Sequence, residues 1–365
     1  MPHLFSPLRL ADLELANRIV VSPMCQYSAN DGAASDWHIT HLGMLANSGA
    51  GLLVAEMTDV ERRGRISHGC LGLYSDACEA ALARVVAHCH QVGSAQLAVQ
   101  LAHAGRKGSA QKPWEGSKPL GAAEDAWETI APSPIPFGPG WPTPREMTES
   151  DLEAVRGAFV AAAQRAVRIG FDAIELHAAH GYLLHSFLSP LSNRRTDAYG
   201  GSAEGRMRFP LAVARAVRAV VPRGTPVGAR ITGNDWLDGG ITPDDAVVFA
   251  KALREVGFDY VDVSSGGLTA EAKLPATPGY NVPFAEKVRR EAGIATRTVG
   301  LIATPKLADA IIAEEKADMI ALGRAVLDDP HWAWHAAEAL GADVARPPQY
   351  QRATPKVWPG AAFHD

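Results

Sequence analysis

The sequence predicts an α/β chain folded as a single (β/α)8 barrel, on three observations. Eight short apolar segments recur along it, helical patterns with start signals lie between them, and polar residues gather just beyond the C-terminal ends of the segments. A length of 365 residues suits this reading, because barrels with insertions commonly occupy that size as one unit.

The segments are residues 18–21, 51–55, 96–100, 173–176, 226–230, 260–263, 296–299 and 319–322. They are rich in β-branched or small side chains and continuously apolar, the pattern of strands in a parallel sheet buried on both faces. Thr148-x-x-Asp151 has the form of a capping box and leads into Leu152, Val155, Phe159, Ala162 and Ala166 at helical spacing, with Gly170 beyond. Thr242-Pro243 and Thr304-Pro305 each put a hydroxyl N-cap before a proline at the first helical position, where its missing N–H costs nothing. Residues 112–145 break the rhythm with eight prolines and three tryptophans, which predicts an ordered lid or hairpin excursion over the barrel mouth. The expected organisation is a catalytic barrel over 1–342 and a C-terminal segment over 343–365, where Tyr350, Arg352 and Trp358 are side chains that a purely solvated tail seldom needs.

Hydrophobic residues make up 47% and charged residues 21% of the chain, the balance of a globular protein with a sizeable core. The net charge of −5, with no run of Lys or Arg, argues against a nucleic-acid partner. The N-terminal residues lack a signal pattern, and no long apolar stretch reads as a membrane span, so a cytoplasmic protein without a membrane partner is expected. Cys25, Cys70, Cys78 and Cys89 form no Cys-x-x-Cys pair, which argues against a disulfide framework, a zinc site or an iron–sulfur cluster.

Side chains just past the strand ends line the active site in this fold. Reading those positions in order gives Ser22-Pro23-Met24-Cys25-Gln26-Tyr27, Glu56-Met57-Thr58, Gln100, His103, His177, His180, Tyr182, Arg230, Ser264-Ser265, Gly300, Gly323 and Arg324. Glycines after the seventh and eighth strands allow backbone N–H groups to approach a phosphate, with Arg324 as a cationic fork; the alternative is that Gly300 and Gly323 serve only turns. His177 and His180 admit three readings: zinc ligands lacking a third partner, buried satisfied histidines, or two donors to a substrate oxygen with Tyr182 as the acid. Cys25 is either a packing thiol or a group touching a cofactor or acting as a nucleophile. Arg230 is either a structural ion-pair residue or a cation facing an electron-rich ring, and Gln100 either caps a strand or reads a heterocycle edge.

Taken together these residues resemble the old yellow enzyme family, and within it the bacterial xenobiotic-reductase-like (thermophilic-like) class of ene-reductases. The resemblance is carried by Ala16-Asn17-Arg18-Ile19, Ser22-Pro23-Met24-Cys25-Gln26-Tyr27, Asp36-Trp37-His38 and Gln100-Leu101-Ala102-His103-Ala104-Gly105-Arg106-Lys107. It continues through His177-x-x-His180-Gly181-Tyr182-Leu183, Ser192-Asn193-Arg194-Arg195-Thr196-Asp197-x-Tyr199-Gly200-Gly201-Ser202 and Gly323-Arg324.

The resemblance implies FMN across the barrel mouth, with Ser22, Pro23, Met24, Met57 and Gln100 along the isoalloxazine, Arg230 at its N1/C2 edge, and Gly300, Gly323 and Arg324 at the phosphate. It implies ping-pong chemistry in which NADPH or NADH reduces the flavin, and hydride then passes from N5 to the β-carbon of an α,β-unsaturated carbonyl or nitro compound. The substrate oxygen would be held by His177 and His180, Tyr182 would protonate the α-carbon, Tyr27 would orient the substrate, and Cys25 would modulate the flavin. It also implies a homodimer or larger even-numbered oligomer in which Arg352 or Trp358 of one subunit reaches a neighbour's site. Three departures stand out: Met57 in place of a small alanine, Gly205 in place of an asparagine, and Leu301 where one type of relative carries a tryptophan. The residues also admit two other classes: a metal-dependent hydrolase or lyase on the same barrel, and a non-catalytic flavin-binding protein.

Overall fold

The computed structural model describes residues 2–363. Its eight barrel strands are β1 (Ile19–Val21), β2 (Leu52–Asp59), β3 (Gln96–Ala102), β4 (Ala173–Ala178), β5 (Val227–Thr232), β6 (Tyr260–Ser264), β7 (Ala295–Thr298) and β8 (Met319–Leu322). All pair in parallel with their sequence neighbours, and β8 pairs with β1 to close the (β/α)8 barrel.

Each segment read from the sequence falls on one of these strands, but β2, β3, β4, β5 and β6 run further than the apolar pattern indicated. Glu56, Met57, Thr58, Gln100, His177, Arg230 and Ser264 therefore lie within strands rather than past their ends. Polar residues at the upper ends of the strands obscured the true boundaries.

Alternation along the strands sorts the core. Ile19, Val21, Leu53, Leu97, Val99, Ile174 and Val261 belong to the large apolar cluster shared with the surrounding helices. Val20, Leu52, Val54, Ala98, Ala173, Tyr260, Met319 and Ala321 form a second cluster. Leu10 and Leu15, from an N-terminal hairpin of Leu8–Leu10 with Leu13–Leu15, join this second cluster and plug the end of the barrel where the strands begin.

The helix starts are built as the sequence indicates. Thr148 and Asp151 form the capping box of Glu149–Arg168, Thr242 and Asp245 that of Pro243–Val256, and Thr304 accepts from Leu307 N–H at the start of Pro305–Ala313. Such caps contribute about 1 kcal/mol each.

The excursion over 112–145 departs from the hairpin expectation. Ile130–Ala131 pairs with Arg145–Glu146 in parallel, whereas a hairpin is antiparallel. The segment is tied down by Arg106, whose guanidinium donates to the carbonyls of Ile135 and Pro136, and by Arg195, which donates to the Pro132 carbonyl. Among the described residues, no helix is long and apolar enough to cross a membrane.

Candidate active site

The strand alternation that builds the plug continues upward into a charged layer. Two residues above Ala98, Ala173 and Tyr260 come Gln100, Glu175 and Asp262, joined by Arg230 and Arg297. Gln100 Nε2 donates to Glu175 Oε1 at 2.8 Å, and Tyr260 Oη donates to Glu175 Oε2 at 3.1 Å. Arg297 Nη2 lies 2.5 Å from Glu175 Oε2 and 3.0 Å from Asp262 Oδ2, while Arg230 Nε lies 3.0 Å from the same Asp262 oxygen. Burial opposes the charge of Arg297, but Asp262 and Glu175 outweigh it and raise its pKa. Two cations and two carboxylates thus compensate one another in the barrel interior, and the layer fixes where Arg230 and Gln100 can reach.

One step higher, His177 and Ser264 continue the same alternation. After β4 the chain turns sharply: His180 adopts φ +58° and Gly181 φ +75°. A Cβ on Gly181 would lie 2.4 Å from the Gly267 carbonyl oxygen, so this close approach of the loops after β4 and β6 needs glycine. His185 fixes the turn from beneath, accepting from Gly181 N–H at 2.7 Å through Nδ1 and facing Asp235 at 3.0 Å through Nε2. Lys107 Nζ clamps the two loops, donating to the carbonyls of His180 (2.8 Å) and Gly267 (3.0 Å).

The result brings His177, His180, Tyr182, Ser264 and Arg230 together. The His177 and His180 rings stand edge to face with centroids 5.1 Å apart, and the Tyr182 ring lies 4.8 Å from His177. His180 Nδ1 is 3.3 Å from His177 Nε2, and His180 Nε2 is 2.7 Å from Ser264 Oγ. Burial, then the nearby Arg230 cation, holds both imidazoles well below the usual histidine range, so both are neutral. Burial likewise raises the Tyr182 phenol well above its ordinary value and keeps its proton in place.

The loop after β1 forms the facing wall. Cys25, Tyr27, Trp141 and Tyr182 pack against an apolar cluster of Met57, Ile66, Cys70, Ala102, Ala104 and Ala110. Burial, then Glu56, pushes the Cys25 thiol well up, which keeps it as S–H rather than thiolate. The other three cysteines are buried packing residues. Glu56 positions the loop: it accepts from Gln26 N–H at 2.9 Å and faces His38 Nε2 at 3.2 Å. Tyr27 is held at φ +50° with its ring edge-to-face on Trp114.

At the ends of β1, β7 and β8, Ser22 N–H donates to the Leu322 carbonyl, and the Ser22 hydroxyl is buried with no hydrogen-bond partner among the described residues. Gly300 has φ +122°, and a Cβ there would meet the Tyr280 ring at 2.9 Å. A Cβ on Gly323 would lie 3.7 Å from the Met24 sulfur. Arg324 follows, exposed, at the start of Arg324–Asp328.

Arg352 and Trp358 stay apart from this gathering. Arg352 is exposed, and its side chain makes no hydrogen bond or ion pair among the described residues. Trp358 lines a surface groove with His331, Trp334, Arg346 and Tyr350.

Sequence reasoning missed Glu175, Asp262, Arg297, Phe137 and Trp141, and it gave Lys107 and Ser264 no individual role. Charged residues at alternate positions of otherwise apolar strands mark the first three. Phe137 lies under the Lys107 ammonium, 4.6 Å from its ring centroid. Phe137 and Trp141 come from the Pro/Trp-rich excursion, whose composition flagged it without saying which rings turn inward.

Residues 3–343 match the NADH:flavin oxidoreductase / NADH oxidase family. The chain belongs to that family. Within it stands the old yellow enzyme group, and the similarity runs along the whole chain. An NADPH dehydrogenase of Geobacillus thermodenitrificans is 45% identical over 96% of this chain and 98% of its own length. One of Listeria innocua is 44% identical over 97% and 99%. Among solved structures, morphinone reductase in complex with tetrahydroNAD superimposes with a TM-score of 0.76 at 29% identity, covering 96% of this chain and 94% of that one. Membership makes the protein an FMN-dependent oxidoreductase that draws on a reduced nicotinamide. The metal-dependent hydrolase and the non-catalytic flavin protein are thereby set aside.

Proposed function

We propose that the protein uses NADPH to reduce the activated C=C bond of α,β-unsaturated carbonyl or nitro compounds. The observation that carries this reading is the pair of neutral imidazoles, His177 and His180, with the Tyr182 phenol against His177. Neutral N–H donors strengthen as negative charge develops on a substrate oxygen, so they favour the transition state over the ground state.

The residues present fit FMN. Ser22 keeps a buried hydroxyl in need of a partner, Arg230 offers a guanidinium fixed by Asp262, and Gln100 is braced by Glu175. Ser22, Pro23, Met24, Met57, Gln100 and Arg230 would hold the ring; Gly300, Gly323 and Arg324 would hold the phosphate. Bound FMN supplies the capacity to take a hydride from the nicotinamide and give it to the electrophile. His177 and His180 bind the electrophile's oxygen, Tyr27 orients its carbon skeleton, and Tyr182 delivers a proton to its α-carbon. Cys25, held as a thiol, acts as a neutral neighbour of the ring rather than as a nucleophile. Nicotinamide and electrophile use the mouth in turn, which gives ping-pong kinetics.

Residues 1–342 form the catalytic barrel in this reading. Residues 343–365 reach a neighbouring subunit of a homodimer or larger even-numbered oligomer, so that Arg352 or Trp358 completes its site. The exposure of Arg352 supports this assignment. A cytoplasmic location is part of the same proposal.

The test is anaerobic. Yellow, FMN-loaded protein is expected to bleach faster with NADPH than with NADH and to regain colour with 2-cyclohexenone, maleimide or a nitroalkene. Protein that stays colourless with added FMN, or that bleaches but is reoxidised by none of the three, would overturn the proposal.

A further inference from the structure

The Ser264 hydroxyl sits between the substrate-binding and cofactor-facing halves of the site. Its Oγ is 2.7 Å from His180 Nε2 and 3.5 Å from Arg230 Nη2. A guanidinium only donates, so Oγ accepts on that side. At the other end of the chain of contacts, Ala179 N–H donates to His177 Nδ1 at 3.2 Å. A neutral imidazole carries one proton, so that of His177 is on Nε2, facing His180 Nδ1 at 3.3 Å.

The proton count then has a consequence for ligand binding. At rest, His177 Nε2–H donates to His180 Nδ1, and His180 carries its own proton on Nε2 and donates to Ser264. Only one of the two imidazoles then has an N–H facing the gap between the rings. For both to hold one oxygen, the proton of His180 must be on Nδ1 beside His177 Nε2–H. Two N–H groups converge in this way only when an acceptor lies at their junction. His180 Nε2 is then bare, part-buried and 2.7 Å from Ser264.

We propose that Ser264 is the positioning residue for this exchange: its hydroxyl accepts from His180 at rest and turns to donate to His180 when a ligand oxygen lies between the imidazoles. A hydroxyl is suited to this because it both donates and accepts. An aliphatic side chain would strand the part-buried His180 Nε2 as an acceptor without a protein donor in the liganded state only. The inference rests on the reading of His177 and His180 as joint donors to a substrate oxygen.

The test uses FMN-loaded enzyme and 4-hydroxybenzaldehyde, with binding followed by the charge-transfer absorbance. Ser264→Ala is expected to raise the Kd about tenfold, and Ser264→Thr, which keeps the hydroxyl, to restore it to within about threefold of wild type. In the wild type, spectra of 15N-labelled histidine are expected to show the His180 proton moving from Nε2 to Nδ1 when the phenol binds. Tight binding by Ser264→Ala, or phenol binding without movement of the His180 proton, overturns the inference. His177→Ala separates the two levels. If it weakens binding while Ser264→Ala does not, only the role of Ser264 falls; if neither weakens it, the paired-donor reading falls as well.

Discussion

The barrel interior and the mouth directly above it hold their polar groups in opposite ways. Below, Glu175, Arg297, Asp262 and Arg230 form ion pairs at 2.5–3.0 Å, with Arg297 completely buried. Above, His177, His180, Tyr182 and Cys25 are kept uncharged by burial and contact one another mainly through neutral hydrogen bonds and ring edges. The contrast separates two tasks. Compensated charge gives a stiff floor that fixes Arg230 and Gln100. Neutral, proton-bearing groups above it can respond to charge that appears on a ligand.

The largest effect should come from breaking the floor. Arg297→Met leaves two buried carboxylates without their shared cation and should cost about 3–5 kcal/mol of stability, read by denaturant titration of the holoenzyme. A loss under about 1 kcal/mol would mean that the floor is not held by this pairing. At the mouth the cost should fall on chemistry instead. Tyr182→Phe should slow reoxidation of the reduced enzyme by 2-cyclohexenone about 100-fold while leaving reduction by NADPH within a few-fold, both read by stopped flow. Equal slowing of the two half-reactions would remove Tyr182 as the proton donor. His177→Ala should weaken 4-hydroxybenzaldehyde binding by about 10-fold or more with little change in unfolding free energy, which sharpens the contrast with Arg297.

A pH-dependent effect concerns Lys107, which lies between floor and mouth with its Nζ 4.9 Å from the Tyr182 ring centroid. Burial, then Arg106, lowers its pKa from 10.5 to about 7. Between those values the unfolded chain holds a proton that the native chain has released, so this group makes stability rise as pH increases from about 7 toward 10.5. Lys107→Met should flatten that rise. Parallel stability curves for the two proteins would show that Lys107 does not titrate there.

Much of this architecture is legible in the sequence, for physical reasons. All eight barrel strands were readable because both of their faces are buried and the segments are rich in β-branched and small side chains, and the helix starts because a hydroxyl three residues ahead of the N–H it accepts from opens each of them. The gathering of side chains at the mouth was readable where they sit close together on one short segment, as in His177-x-x-His180-Gly181-Tyr182. It was not readable where partners are distant in sequence. Arg297 meets Glu175 across 122 residues, and His180 meets Ser264 across 84. Only the closed register of the barrel puts these side chains on one level. The parallel pairing inside residues 112–145 was hidden for a related reason, since two-residue ladders leave no periodicity to read.

Isotopic labelling of a single turnover tests the central claim most directly. NADPH deuterated at the transferable C4 position, with 2-cyclohexenone in ordinary water, is expected to give cyclohexanone carrying deuterium at the β-carbon, and unlabelled NADPH in heavy water to give deuterium at the α-carbon. Nicotinamide-derived deuterium at the α-carbon, or NADPH consumption with no reduction of the alkene, would contradict it.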